Sequence, residues 1–366
     1  MKKILLIADS NMSLSGVPVV FMSIVRLLSK EYQFDIVVFK DNDMYFEKEF
    51  LSYGGKVFRY KFDKPDNFLK KLIWIKSTYY KSVKNFINKN IKLDEYAAIH
   101  SFQEDYSYPF LKEAKKAGVK NRILHICSAA SAYKIKKHLN RKLLDRYSKK
   151  AKKQATRIAF VSQRSLKLND YKNKGVVVYN IYDEQKFGQI TECVHNNLEL
   201  TQIGTFSGRK NQLFSLEVVN RIKKEIPNVH LNIVGKEMDE GYLEKMNLYI
   251  KNNNLQTNVS ILGTSTDRIE LNKHTSYVLY PSTMESFGLI LIESQSSGIH
   301  CFANKEVPND ADMGNVDFLE LNAELWSKSI VDFFNKHHNL RKKPENTELF
   351  SCLNFKSTIN KLYTIS

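Results

Sequence analysis

Tyr280-Pro281-Ser282-Thr283-Met284-Glu285-Ser286-Phe287-Gly288-Leu289-Ile290-Leu291-Ile292-Glu293-Ser294-Gln295-Ser296-Ser297-Gly298 is the most informative stretch of the chain. It reads as a strand ending at Tyr280, a turn carrying Glu285 to Gly288, and a helix beginning near Leu289. Backbone N–H groups at a helix N-terminus bind phosphate, and Gly288 lets a ligand approach the main chain. Glu293 follows Glu285 by eight positions, about two turns at ~3.6 residues each. If the turn folds over the helix, both carboxylates face one ligand. Glu293 sits among Leu289, Ile290 and Ile292, so its carboxylate needs a partner, and a ribose diol offers two O–H donors. A purely structural account also fits, with Glu285 favoured by the helix dipole and Glu293 in a fixed polar contact. Spacing alone leaves the two open.

Outward from this stretch the chain alternates between strands and helices. The start is a βαβ unit: strand Lys3–Ile7, loop to Gly16, helix Val17–Leu28, strand Phe34–Phe39. Apolar runs this continuous suit parallel strands buried on both faces. Further strands are predicted at 56–59, 97–101, 122–126, 157–161 and 176–179. After Asn180 the sequence turns polar and loses this rhythm, which places a domain boundary there. Alternation restarts with strands at 198–203, 230–234, 259–262, 277–280 and 300–303. Helices are predicted at 212–225, 242–252, 269–273, 289–297 and 325–337. The chain is therefore expected to be α/β, with two successive doubly wound domains. Facing one another, such domains set the carboxyl ends of two sheets across a cleft, a natural nucleotide site.

Length and composition agree. At 366 residues, two domains are the default. Hydrophobic residues at 43% and charged residues at 26% exclude disordered, collagen-like and disulfide-scaffold classes. No apolar run approaches the ~18 residues of a membrane span. The apolar run after Met1 is too short for a signal-peptide core, so secretion is not expected. Cys127, Cys193, Cys301 and Cys352 lie far apart with no CxxC, which points to a reduced, cytoplasmic protein without structural zinc. The net charge of +17 is unevenly spread. Residues 1–200 hold 38 basic and 20 acidic residues, and residues 201–366 hold 18 and 19. Such asymmetry points to a polyanionic partner for the first half.

The Glu-x7-Glu stretch, preceded by Pro-Ser and followed by Ser-Gly, resembles the signature of retaining glycosyltransferases of family 4, which have the GT-B fold. Val161-Ser162, then Val176 to Asp183 and Phe187, resemble the family's entry into its second domain. Ile203-Gly204-Thr205-Phe206 with Lys210-Asn211 resembles its donor-phosphate loop. Asp317 to Leu321 and Ala323-Glu324-Leu325-Trp326 resemble the branch that makes bacterial exopolysaccharides and capsular polysaccharides. Phe355 to Tyr363 is similar to the closing helix that crosses back to the first domain. The resemblance implies two facing Rossmann-like domains. An acceptor-side domain spans 1–185, with the crossing helix at 350–366. A donor-binding domain spans 195–345.

The resemblance also implies roles. Glu285 would contact the transferred sugar near the reacting centre. Ser286, Phe287, Gly288 and Leu289 would present the helix N-terminus to the donor phosphates, Glu293 would bind the ribose, and Lys210 would neutralise the diphosphate. The family works without a metal or cofactor, and the chain shows no DxD at a strand end. Three departures stand out. Thr205 replaces an arginine, so Arg209 either takes over as phosphate ligand or is a solvated loop residue. In Arg122 to Ser128, His125 matches the first of two family histidines, and Cys127 stands in the second place. Either His125 assumes that role or the enzyme manages without it. Ser15-Gly16 replaces a Gly-Gly pair, leaving Gly16 for close substrate approach. His100 ends a predicted strand, where a histidine is more often structural, and is a weaker site candidate, as is Cys127.

Residues 51–150 alone hold 24 basic and 8 acidic residues. Apolar and aromatic residues at 68, 72, 75, 79, 83 and 86 have helical spacing with lysines between them. A second basic stretch runs through 133–153. The apolar stripe is expected to pack on the sheet. The lysines are expected to meet an anionic membrane surface through residues 64–153. No nucleic-acid motif is present. The resulting expectation is a peripheral enzyme at the inner face of the cell membrane. It would move a sugar from a nucleotide-sugar donor, UDP-linked, to a growing surface polysaccharide or lipid-linked oligosaccharide. The alternative is a GT-B-fold nucleotide- or glycan-binding protein with weak or no transfer activity, which the changes at Thr205 and Cys127 keep open.

Overall fold

A computed structural model describes residues 1–8, 12, 16–39, 45–61, 78–102, 104, 106–127, 139–168, 173–189, 193, 196–264 and 267–364. The chain divides into two compact units, Met1–Asn180 with Cys352–Ser366, and Ile181–Ser351.

The first unit is a seven-stranded parallel sheet: β1 (Lys2–Ala8), β2 (Tyr32–Val38), β3 (Val57–Arg59), β4 (Tyr96–Ser101), β5 (Asn121–Ile126), β6 (Arg157–Phe160) and β7 (Gly175–Val177). The order is β3-β2-β1-β4-β5-β6-β7. Strand order thus reverses between β1 and β4, the switch point where doubly wound folds bind ligands. Ile4 to Ala8 of β1 are fully buried, as expected of a strand covered on both faces. Helices α1 (Gly16–Leu28), α2 (Glu47–Ser52), α3 (Tyr79–Asn90), α4 (Tyr108–Lys116), α5 (Leu139–Gln154) and α6 (Gln163–Lys167) connect the strands.

The second unit repeats the plan with six parallel strands: β8 (Glu199–Ile203), β9 (His230–Val234), β10 (Val259–Leu262), β11 (Tyr277–Tyr280), β12 (His300–Asn304) and β13 (Val316–Leu319). Their order, β10-β9-β8-β11-β12-β13, is the same doubly wound pattern with its switch point between β8 and β11. Its helices are α7 (Glu184–Phe187), α8 (Gln212–Ile222), α9 (Tyr242–Asn252), α10 (Arg268–His274), α11 (Leu289–Ser296) and α12 (Ala323–His337). Helix α13 (Cys352–Tyr363) groups with the first unit, where Tyr363 packs edge-on against Tyr32 at 5.3 Å between centroids.

Two α/β units with parallel sheets match the predicted fold class. Residues 181–185, expected in the first domain, group with the second. There the Phe187 carbonyl accepts from Ser297 Oγ at 3.1 Å. The second unit also continues past residue 345, through a turn that buries Phe350. In α3 the apolar stripe faces inward through Tyr79 and Val83, with Phe86 half-buried against the core and Ile87 buried beside it, while Lys81, Lys84 and Lys89 are exposed. The rest of the stripe, at 68–75, lies outside the described residues, as do 133–138. One lysine of the basic stretch departs from expectation. Lys152 is 6% exposed and its ammonium lies 2.7 Å from Glu104. Among the described residues, no helix is long and apolar enough to cross a membrane.

Candidate active site

In the second unit, two loops meet where β8 and β11 end, at the switch point. The first, Gly204 to Asn211, is tied to β9 and its extension by Gly204 N–H to Val234 O at 2.9 Å and Phe206 N–H to Lys236 O at 2.8 Å. Gln212, fully buried, donates to Thr205 O at 3.0 Å and accepts from Ser207 N–H at 3.3 Å. Gln202 donates to Lys210 O at 2.7 Å. The second loop, Pro281 to Gly288, is stitched to the first by Thr283 N–H to Arg209 O at 2.9 Å. Backbone contacts of this kind hold both loops at fixed geometry.

Lys210 and Glu285 meet across these loops, with Nζ 2.6 Å from Oε1. A side chain at position 204 would crowd the Lys210 stem, since a Cβ there lies 3.2 Å from its Cδ and Cε; Gly204 leaves that room. Arg209 approaches the same carboxylate, Nη1 being 3.8 Å from Oε2, and donates to Met284 O at 3.4 Å. Tyr280, the last residue of β11, lies beneath the ammonium, its ring centroid 5.0 Å from Nζ. Burial and the neighbouring Glu285 hold the Tyr280 phenol well above its usual ionisation range. The Thr205 hydroxyl is enclosed without a hydrogen-bond partner.

Helix α11 begins directly after this loop. Gly288 adopts φ +125°, and a Cβ there would lie 3.3 Å from Ala311 Cβ and Leu291 Cδ1. Phe287 is 2% exposed and packs on Phe350 at 5.9 Å, which anchors the turn. The first-turn N–H groups of a helix lack partners one turn earlier in the helix; here Leu291 N–H turns back to Gly288 O at 2.9 Å. Glu293 is buried one turn further along and pairs with Arg268 of α10. Burial holds the Glu293 carboxyl above the usual carboxylate range, and Arg268 opposes that shift. The Arg268 guanidinium also lies 5.1 Å over the Phe187 ring.

Gly16, His100, His125 and Cys127 belong to the first unit. Gly16 opens α1, and a Cβ there would meet nothing within 4 Å. His100 and His125 are fully buried on β4 and β5, with Nε2 of the first 3.2 Å from Nδ1 of the second. Tyr363 caps the pair, its hydroxyl 2.8 Å from His100 Nδ1. Burial lowers the ionisation of both rings, His125 to about 3, so both are neutral at physiological pH. His125 Nε2 is enclosed without a partner. Cys127 is half-buried, and burial pushes its thiol up to about 12.

The structure thus brings together Thr205, Arg209, Lys210, Glu285 to Leu289 and Glu293, and separately pairs His100 with His125. Tyr280, Arg268, Gln212 and Tyr363 were not anticipated as site residues. Tyr280 had a signal, since it ends the strand that feeds the turn. Among the described residues, no group of three His, Cys, Asp or Glu could hold a metal ion.

Two parallel sheets of doubly wound order, one in each unit, define the class of two-domain α/β proteins. Residues 183–313 match the family described as Glycosyl transferases group 1. The capsular polysaccharide biosynthesis glycosyltransferase CapH of Staphylococcus aureus is 25% identical over 355 residues, covering 90% of each chain. The putative glycosyltransferase EpsF of Bacillus subtilis is 23% identical over 345 residues, covering 88% of this chain and 85% of EpsF. The crystal structure of Anabaena HepE with UDP-glucose matches at a TM-score of 0.77 and 16% identity, covering 99% of both chains. That likeness establishes the GT-B fold.

Proposed function

We propose that the protein is a retaining, metal-independent glycosyltransferase of family 4. It takes a sugar from a nucleotide donor, UDP-linked, and adds it to a cell-surface polysaccharide or lipid-linked oligosaccharide. The observation that carries this reading is the Lys210–Glu285 contact at the N-terminus of α11, with Arg209 beside it and Glu293 one turn along the helix. In such a transfer the bond between the sugar's anomeric carbon and the diphosphate oxygen breaks. The acceptor hydroxyl oxygen forms the new bond, and its proton passes to the departing diphosphate. Charge builds on that diphosphate, where Lys210, Arg209 and the first-turn N–H groups of α11 act as preorganised donors. Glu285 faces the sugar, and Glu293 takes the ribose. HepE was crystallised with UDP-glucose, and CapH is named for capsular polysaccharide biosynthesis, which supports the donor and acceptor classes. The exposed lysines of α3, with those of 149–153 apart from Lys152, fit an anionic lipid surface and support a location at the inner face of the cell membrane.

The test is transfer from a panel of UDP-sugars to a lipid-linked oligosaccharide acceptor, with a chelator present and the product anomer read by NMR. Turnover with retained configuration, lost in a folded Glu285→Gln variant, is expected. No transfer from any nucleotide sugar, or undiminished transfer by Glu285→Gln, overturns the reading. Turnover only with added divalent metal removes its metal-independent part.

A further inference from the structure

Lys210 faces two demands. Without ligand its ammonium lies 2.6 Å from Glu285 Oε1. In the donor-site reading it turns to a diphosphate while Glu285 turns to the sugar. The Glu285 side chain is only 10% exposed, so water cannot fully replace the cation it then shares or loses. Tyr280 is placed to supply a second donor. It is the last residue of β11, a strand buried throughout, and is 2% exposed. Its hydroxyl accepts from Lys210 Nζ at 3.4 Å, and its ring centroid lies 5.0 Å from the same ammonium. A hydroxyl that accepts in this way keeps its own proton to give. Glu285 is the carboxylate beside it, and burial together with that neighbouring charge keeps the phenol protonated.

A ring alone would serve the packing and the attraction to the ammonium, and phenylalanine supplies both. A buried hydroxyl costs free energy unless it is hydrogen-bonded, and 3.4 Å is long for a hydrogen bond. The hydroxyl thus does little for the ligand-free pair and gains a use once the pair parts. Arg209 Nη1, 3.8 Å from the other oxygen of Glu285, is assigned to the same diphosphate and is no substitute. We infer that Tyr280 is a positioning residue whose O–H takes over Glu285 from Lys210 when a nucleoside diphosphate binds, holding the carboxylate towards the sugar. This rests on the donor-site reading above. No proton is transferred: the neutral phenol donates a hydrogen bond to the carboxylate, and the ammonium donates to phosphate oxygens.

The experiment is calorimetric titration of the full chain with UDP, CDP, ADP and GDP. Wild type, Tyr280→Phe, Glu285→Gln and the double variant are compared, each first shown by melting to be folded. Tyr280→Phe should weaken binding of the preferred diphosphate about tenfold, as expected when a poorly solvated charge loses a donor. In the Glu285→Gln background, where no charge is left to hold, the same change should alter affinity by less than about twofold. That non-additivity is the diagnostic readout, because a hydroxyl that only supports the fold weakens binding equally in both backgrounds. If Tyr280→Phe does not fold, Tyr280→Met, which also lacks the hydroxyl, takes its place in the cycle. Equal weakening in both backgrounds, or undiminished binding by the hydroxyl-free variant, overturns the inference and leaves the donor site standing. Absence of binding of every diphosphate by wild type overturns the donor-site reading itself and this inference with it.

Discussion

Lys210 Nζ lies 2.6 Å from Glu285 Oε1, with side chains only 13% and 10% exposed. The ammonium that should meet a departing diphosphate is therefore matched, before any ligand arrives, by the carboxylate assigned to the sugar. Removing either partner leaves the other charged and poorly solvated. Lys210→Met and Glu285→Gln should each lower kcat/KM by about 10²–10³-fold, the usual scale for a preorganised transition-state donor. The double variant should lose far less than the product of the two, with a coupling of about 0.5–3 kcal/mol. Steady-state kinetics on the four proteins checks this; strictly additive losses would show that the pair does not act as a unit.

Gly288→Ala should damage both stability and ligand binding. The new methyl would occupy a backbone at φ +125° and press on Leu291 and Ala311. A strained non-glycine residue of this kind costs about 1–3 kcal/mol. Urea denaturation should show that loss, and nucleotide titration should weaken as the α11 N-terminus shifts. A variant as stable as wild type refutes the steric account.

Gln295 is a second structural anchor for the same helix. Its fully buried amide donates to Leu291 O at 3.0 Å and Ala311 O at 2.8 Å, and accepts from Met313 N–H at 2.7 Å. Gln295→Leu strands those backbone groups, at about 1–3 kcal/mol for each one left unsatisfied. The thermal midpoint should fall by several degrees. Gln295→Glu should also destabilise, because a carboxylate has no N–H to give.

Acid should destabilise the first unit through His100 and His125. Both are buried neutral, with folded ionisation below the ordinary value, His125 at about 3. A base depressed in this way contributes its full stability above pH ~6.5 and loses it as pH falls towards its folded value. The fall should reach about 1.4 kcal/mol per pH unit per histidine. Chemical denaturation between pH 7 and 4 measures it. A His100→Gln/His125→Gln protein should give a flatter profile than wild type.

Tyr363→Phe isolates the cap on that pair. It keeps the ring packed against Tyr32 and removes only the hydroxyl that meets His100. The expected loss is about 1–3 kcal/mol for an unpaired buried nitrogen. Tyr363→Ala should cost clearly more, since packing is lost as well. Equal losses for the two would assign the whole effect to the hydroxyl and none to the ring.

Much of the fold is legible because continuous apolar runs bounded by polar residues define strands sharply. The predicted edges at 230–234, 259–262 and 277–280 coincide with β9, β10 and β11. Strand β13 escaped prediction as a strand because Asp317 interrupts it and all four residues are only half-buried at the sheet edge. The turn into α11 is legible for a different reason: strand end, glycine and helix start follow one another in sequence. Contacts between distant segments left no periodic trace. Arg268 finds Glu293 across 25 positions, and Tyr363 finds His100 across 263. The burial of Lys152 was invisible because its partner, Glu104, sits on another segment, so its charge read as one more lysine of the stretch expected to meet a membrane surface.

Because α13 groups with the strands at the opposite end of the chain, the first unit is discontinuous, and the whole of Ile181–Ser351 is spliced into it. During synthesis, β1 to β7 leave the ribosome first yet must wait for the last helix. Asn121 stays without the Tyr363 carbonyl it donates to, and His100 without its hydroxyl cap. The second unit has all its residues available earlier and can reach its final form first. Trimming a dozen residues from the carboxyl end should therefore harm the amino-terminal sheet and spare the unit that precedes the cut.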